Sequence, residues 1–301
     1  MSRLRAWWQA IRPSAQTNIA LPLFLGQAWA YGAGYAFEGD RCLALLIWGV
    51  LNQWVIVFVN DIADEKTDRD NTTFNLTSGG SRVLVDGVLT TTSLKRATGI
   101  IGVLWIALSA AMAIQWQLPL VGVALLAAVL LLGSYSLSPL RLSYRGGGEF
   151  LQALGVGVVL PSLGYYVQGG RLETLHPGAL AALFLLGLGS GISTALADTP
   201  SDARSSKRTM PVSLGELPAR SLSLVSLGLA IALASLCSPT LSSQAQLWLI
   251  FAPGLILCSN LLRIRRSDAN APKQCTRFVL TNLGAQITLQ LIWALGSIGY
   301  L

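Results

Sequence analysis

Across 301 residues, 52% are Ala, Val, Ile, Leu, Met, Phe, Trp, Tyr or Cys and only 12% are charged, against roughly 25% in an average soluble domain. So little polar surface excludes a water-soluble fold of this length. The formal charge of +7 does not imply a nucleic-acid partner, because the cations stand in short segments beside apolar runs rather than on one basic face.

Those apolar runs recur along the whole chain, each long enough for a helix across a hydrocarbon core of about 30 Å. In chain order they cover 15–36, 42–60, 97–114, 118–136, 150–168, 178–197, 221–238, 246–262 and 278–300. They predict an all-α membrane protein, a bundle of nine transmembrane helices, with no separate soluble module. Charge placement tests the count. With a cytoplasmic N-terminus, every Lys and Arg except Arg41 and Arg171 falls on the cytoplasmic side, where cations are retained. The expected topology is therefore N-terminus in and C-terminus out. Residues 1–12 lead into no cleavage pattern, so the first span is expected to stay in the chain. Cys42, Cys237, Cys258 and Cys275 lack metal-ligand spacing and read as small apolar residues. His176, the sole histidine, falls in an external loop with no catalytic role expected.

The acids gather where two of the runs end. After the second run stands Asn60-Asp61-Ile62-Ala63-Asp64-Glu65-Lys66-Thr67-Asp68-Arg69-Asp70, and after the sixth Asp198-Thr199-Pro200-Ser201-Asp202. On a helix that continues past the second run, Asp61, Asp64 and Asp68 share one face, and Asp198 and Asp202 do the same on theirs. Like charges so spaced destabilise a helix unless a cation compensates. Carboxylate oxygens suit a hard cation, and Mg²⁺ is typically held by one or two of them together with phosphate oxygens. Both sets fall on one side of the membrane, and each is followed by cations: Lys66, Arg69 and Arg82 after the first, Arg204, Lys207 and Arg208 after the second. The pattern points to a metal-bridged polyanion such as diphosphate. The plainer alternative is that both sets are solvated helix ends.

Asn60-Asp61-x-x-Asp64-x-x-x-Asp68 resembles the first signature of the UbiA superfamily of intramembrane prenyltransferases, and Asp198-x-x-x-Asp202 resembles its second. The second continues as Ser206-Lys207-Arg208-Thr209, similar to the family's Gly-Lys-Arg-Thr run with Ser206 in the Gly position. Arg12-Pro13 with Pro22 and Gly26, and the loop from Tyr135 through Pro139 to Arg145-Gly146-Gly147-Gly148-Glu149, are similar to the branch that prenylates 1,4-dihydroxy-2-naphthoate. The first motif, however, has the tighter spacing of the 4-hydroxybenzoate enzymes. The resemblance covers about residues 10–220. It implies one domain over 1–301, with similar halves at about 10–140 and 145–265 and a final helix.

The resemblance also implies a polyprenyl diphosphate donor, an aromatic acceptor and Mg²⁺. Asp61, Asp64, Asp68, Asp198 and Asp202 would then be the metal ligands, and Asn60 would orient Asp64 or a metal-bound water. Arg12, Lys66, Arg69, Arg141, Arg145, Lys207 and Arg208 would bind the diphosphate, since Arg offers forked donors to phosphate. Trp48, Trp54, Phe58 and Tyr135 are candidate walls of an apolar channel for the prenyl tail. The expected setting is a bacterial-type inner membrane, with the site toward the cytoplasm. 4-Hydroxybenzoate and a glycerol-phosphate lipid remain alternative acceptors. A transporter, the reading from another class, would favour ionisable residues near the middle of spans, whereas here they stay at the ends.

Overall fold

The computed structural model describes residues 3–69, 71, 80–266 and 271–301, and the regular elements among them are all helical. Asp70, the last acid of the first motif, lies outside the described residues. A short α1 (Arg3–Ile11) leads through a 3-10 turn into α2 (Thr17–Gly32), α3 (Gly39–Arg69), α4 (Thr91–Gln115) and α5 (Leu120–Ser136). The small α6 (Leu142–Arg145) precedes a rod made of α7 (Gly148–Leu154), a π-helical turn at Gly155–Val159 and α8 (Leu160–Gly169). After α9 (Pro177–Leu196) come two short helices, α10 (Thr199–Arg204) and α11 (Met210–Leu214), and then α12 (Glu216–Leu236), α13 (Ser243–Leu261) and α14 (Pro272–Ser297).

Each apolar run in the sequence is a helix in the structure. Among the described residues, α3, α4, the α7–α8 rod, α9, α12, α13 and α14 are long and apolar enough to cross a membrane. The other two are shorter, α2 with 16 residues and α5 with 17. Exposed apolar side chains cover the outer faces, such as Ile100, Val103 and Leu104 on α4, Val123, Leu126 and Leu130 on α5, and Phe251 and Leu255 on α13. In water such a belt would be untenable. The chain is a multi-pass integral membrane protein.

Between membrane helices, close backbone approach and polar contacts replace the hydrophobic drive available in water. The α2–α8 contact rests on two glycines that face each other's helices. A Cβ on Gly26 would stand 2.1 Å from the Pro161 carbonyl oxygen, and one on Gly164 would stand 2.2 Å from that of Leu23. Four helices at the other side are tied by a buried polar ladder. Asn260 Nδ2 donates to Asn282 Oδ1 at 2.8 Å, Asn282 Nδ2 to Ser223 Oγ at 3.2 Å, and Ser223 Oγ to the Gly189 carbonyl at 2.7 Å. This links α13, α14, α12 and α9. His176 caps α9, its Nδ1 accepting from the Gly178 backbone N–H at 3.1 Å.

The feature that positions the chemistry is the length of α3. Its helix does not stop where the apolar run ends at Asn60 but continues for more than two further turns to Arg69. The first acidic motif therefore stands on a rigid helix, as its three- and four-residue spacing requires.

Candidate active site

The ends of α3, α5 and α9, the start of the α7–α8 rod and the segment from α10 to Thr209 enclose a cavity of about 230 Å³. Asn60, Asp61, Asp64 and Asp68 reach it from α3, and Asp198 and Asp202 reach it from the opposite wall. All six acids and amides expected from the two motifs thus meet at one cavity. Asp198 stands at the N-cap position of α10, its backbone carbonyl accepting from the Asp202 N–H at 2.8 Å.

Lys207 joins the two halves. Its ammonium lies 3.2 Å from Asp64 Oδ2 and 3.9 Å from Asp202 Oδ1. Burial draws its pKa down, but the two carboxylates outweigh this and hold it above the ordinary lysine value. Burial pushes the Asp202 carboxyl up to about 6; Lys207 pulls against that rise, and Asp64 adds to it. On the other flank Arg12 pairs with Asp61, which also accepts from the hydroxyl and the backbone N–H of Ser81. Gly80, with φ of +67°, lets the backbone pass over the acids; a Cβ there would come 2.2 Å from Asp68 Oδ2.

Several residues in and behind this wall had no role assigned from the sequence. Tyr144 donates to Asp64 Oδ1 at 2.8 Å and meets the Thr67 hydroxyl at 2.5 Å. Burial raises its phenol to about 12, with Asp64 adding to the effect, so it remains a proton donor. Glu149, 5% exposed, accepts from the Met210 backbone N–H at 2.8 Å and so fastens the stretch that carries Lys207 to the start of α7. Ser136 Oγ donates to Asn60 Oδ1 at 2.5 Å and fixes that amide.

The expected cation set is narrower than the sequence implied. Arg12 and Lys207 line the cavity; Lys66, Arg69, Arg141, Arg145 and Arg208 do not. Lys66 is two residues from both Asp64 and Asp68, which turns it to the other side of α3, where it is exposed. Arg69 pairs with Glu65 at 3.1 Å on its own helix. Arg141 donates to the Ala63 carbonyl at 2.7 Å and lies 3.6 Å over the Tyr144 ring, bracing the motif from behind. Arg145 and Arg208 are exposed, and Arg208 is held by its backbone N–H on the Tyr144 carbonyl.

A second chamber of about 280 Å³ adjoins the first and shares Arg12, Asn60, Tyr135 and Gln152 with it. Its walls come from α2, α3, α5 and the rod, including Ile56, Leu131, Leu132 and Val159. Of the four expected channel aromatics only Tyr135 reaches it. Trp48 is buried against Trp105 and bonds Ser109, and Phe58 is buried beside Trp7, with Trp54 in the same cluster. These three pack α3 against α1 and α4 instead.

The paired aspartate motifs thus line a polar cavity that adjoins an apolar chamber. Residues 19–287 match the UbiA prenyltransferase family. The chain belongs to that family. It is 28% identical over 250 residues to a 2-carboxy-1,4-naphthoquinone phytyltransferase of Synechocystis, covering 77% of this chain and 75% of that one. Solved structures share the fold. A digeranylgeranylglyceryl phosphate synthase superposes with a TM-score of 0.67 at 17% identity over 99% of both chains. A UbiA homolog from Archaeoglobus fulgidus bound to DMAPP and Mg²⁺ gives 0.58 at 17% identity, covering 97% of this chain and 99% of that one. The UbiA chain described here is a prenyltransferase.

Proposed function

We propose that this UbiA enzyme transfers the prenyl group of a polyprenyl diphosphate to a quinone precursor of the 1,4-dihydroxy-2-naphthoate type, with Mg²⁺ at the aspartate cavity. The observation that carries the reading is the meeting of two acidic motifs, far apart in sequence, at one cavity that opens onto an apolar chamber. The Synechocystis relative supports the acceptor class, and the Archaeoglobus structure supports the donor and the metal.

The donor set suits a hard cation. Asp64, Asp68, Asp198 and Asp202 offer oxygen ligands, and the Lys207 ammonium already sits between two of them. Among the described residues no three acids, histidines or cysteines gather closely enough to hold a metal by themselves, which fits an ion completed by substrate phosphate oxygens. Asp61 is taken up by Arg12 and Ser81 and serves to aim Arg12. When bound, Mg²⁺ supplies charge neutralisation of the diphosphate leaving group. Arg12 and Lys207 bind the remaining oxygens. The bond between C1 of the prenyl group and the diphosphate oxygen breaks, a ring carbon of the acceptor attacks C1, and the ring loses a proton. Tyr135, between the two chambers, offers its π face to the allylic cation, and the apolar walls keep water from it.

In the membrane we propose nine spans and one domain, with the N-terminus and the aspartate cavity facing the cytoplasm, as the charge distribution favours. Purified protein in detergent, given Mg²⁺, radiolabelled geranylgeranyl diphosphate and 1,4-dihydroxy-2-naphthoate, should form a labelled lipophilic product. EDTA should abolish turnover and Mg²⁺ restore it. Full turnover in a metal-free preparation, or no transfer to any aromatic acceptor, would overturn the proposal.

A further inference from the structure

The apolar chamber contains polar side chains that a prenyl tail has no use for. Asn18 on α2 and Asn52 and Gln53 on α3 stand in its walls, below Asn60 and Gln152 at the border with the aspartate cavity. Asn52 is 3% exposed and Gln53 5%. Asn52 Oδ1 is buried and has no hydrogen-bond partner. A buried, unpaired carboxamide oxygen is destabilising, the more so in a bilayer where no water relieves it. A hydrocarbon tail cannot satisfy it.

The position is telling. Asn52 precedes Asn60 by eight residues on one helix, roughly 12 Å along the axis at the α-helical rise. It lies deeper than the aspartate cavity, so an acceptor nucleus seated in the chamber would turn its oxygen substituents toward it. Apart from Arg12 and Tyr135, every polar side chain described along this chamber is a carboxamide. Carboxamides both donate and accept, so they pair with hydroxyl or carbonyl groups. They carry no charge that would draw an anionic headgroup inward.

We infer that Asn52 is a specificity-determining residue, hydrogen-bonding an oxygen substituent on the acceptor ring, with Gln53 and Asn18 beside it as further neutral partners. The inference rests on the prenyl-transfer reading above and narrows it. The acceptor is a hydroxylated or keto-bearing aromatic rather than a glycerol-phosphate lipid, whose phosphate would need cations where the chamber has amides.

The test compares wild type with Asn52→Leu, a variant of similar size that suits an apolar wall. The acceptors are 1,4-dihydroxy-2-naphthoate and its two analogues that each lack one ring hydroxyl. Losing a hydrogen bond to a buried group should lower acceptor kcat/KM about 10- to 100-fold in the variant, while KM for geranylgeranyl diphosphate stays within about twofold. Wild type should discriminate against at least one of the analogues, and the variant should lose that discrimination. A residue that only supports the fold would disturb donor and acceptor together and leave discrimination intact. If Asn52→Leu cannot be purified, Asn52→Ala is read in the same way. Unchanged acceptor kcat/KM, retained discrimination, or transfer by wild type only to a glycerol-phosphate lipid would overturn the assignment while leaving donor chemistry standing. Absence of any transfer or diphosphate release by wild type would remove the underlying reading and this assignment together.

Discussion

Asp64 and Asp198 face the same cavity from opposite walls, so their substitution separates a ligand-binding role from a structural one. Asn keeps the shape of Asp and is as good at a helix cap, but it lacks the charge that a metal diphosphate requires. Asp64→Asn and Asp198→Asn should each lower kcat by at least about 100-fold, and the double variant should be scarcely worse than either, because groups acting as a unit are non-additive. Near-normal kcat in both variants, measured at saturating donor, would leave the acids only a structural role. The carboxylates of this site were legible in the sequence because three- and four-residue spacing is a local property of one helix. The roles of Tyr144, Glu149, Gln152 and Asn52 were not, since each reaches its place only when separate helices come together. The placing of the cations depends on a related matter. Lys66, Arg69, Arg141, Arg145 and Arg208 are near the motifs in sequence, but helix phase and nearby carbonyl or carboxylate partners turn them away.

At the level of elements, the α2–α8 contact offers a clean test of packing. A methyl group at Gly164 meets the Leu23 backbone, which cannot swing aside as a side chain would, while one at Gly99 meets nothing within 4 Å. Gly164→Ala should cost about 2 kcal/mol, read as a lowered midpoint of thermal unfolding in detergent, while Gly99→Ala should leave the midpoint in place. Equal midpoints for both variants would show that α2 and α8 are less closely apposed. Helix positions were the most readable part of the fold, because hydropathy alone marks them. The π-helical turn at Gly155–Val159 left no such trace. It widens the rod where Gly155, Val156 and Val159 line the apolar chamber, and such bulges recur at functional sites.

For the whole molecule, the proposed orientation has a direct test. The cavity end carries the starts or ends of α3, α5, the rod and α9, and the cations of the sequence flank those ends. In a variant lacking Cys42, Cys237, Cys258 and Cys275, a cysteine at exposed Thr92 or Ala203 should react with an impermeant maleimide from the cytoplasmic side. One at exposed Ser243, at the far end of α13, should react only from the opposite side. The reverse pattern would invert the topology. An orientation can be proposed from the sequence because it rests on charge counts in loops, whereas the junction of the two chambers is formed by Arg12 together with side chains from three helices and could be seen only in the fold.

The shortness of α5 bears on the lipid itself. Its 17 residues span roughly 26 Å at the helical rise, less than a hydrocarbon core of about 30 Å. One face of α5 supplies Ala128, Leu131 and Leu132 to the apolar chamber, and the other presents Val123, Leu126 and Leu130 outward. A helix shorter than the membrane is accommodated by local thinning of the surrounding leaflets. Thinning beside α5 would leave a long isoprenoid that approaches from that side less acyl chain to displace on its way in and out.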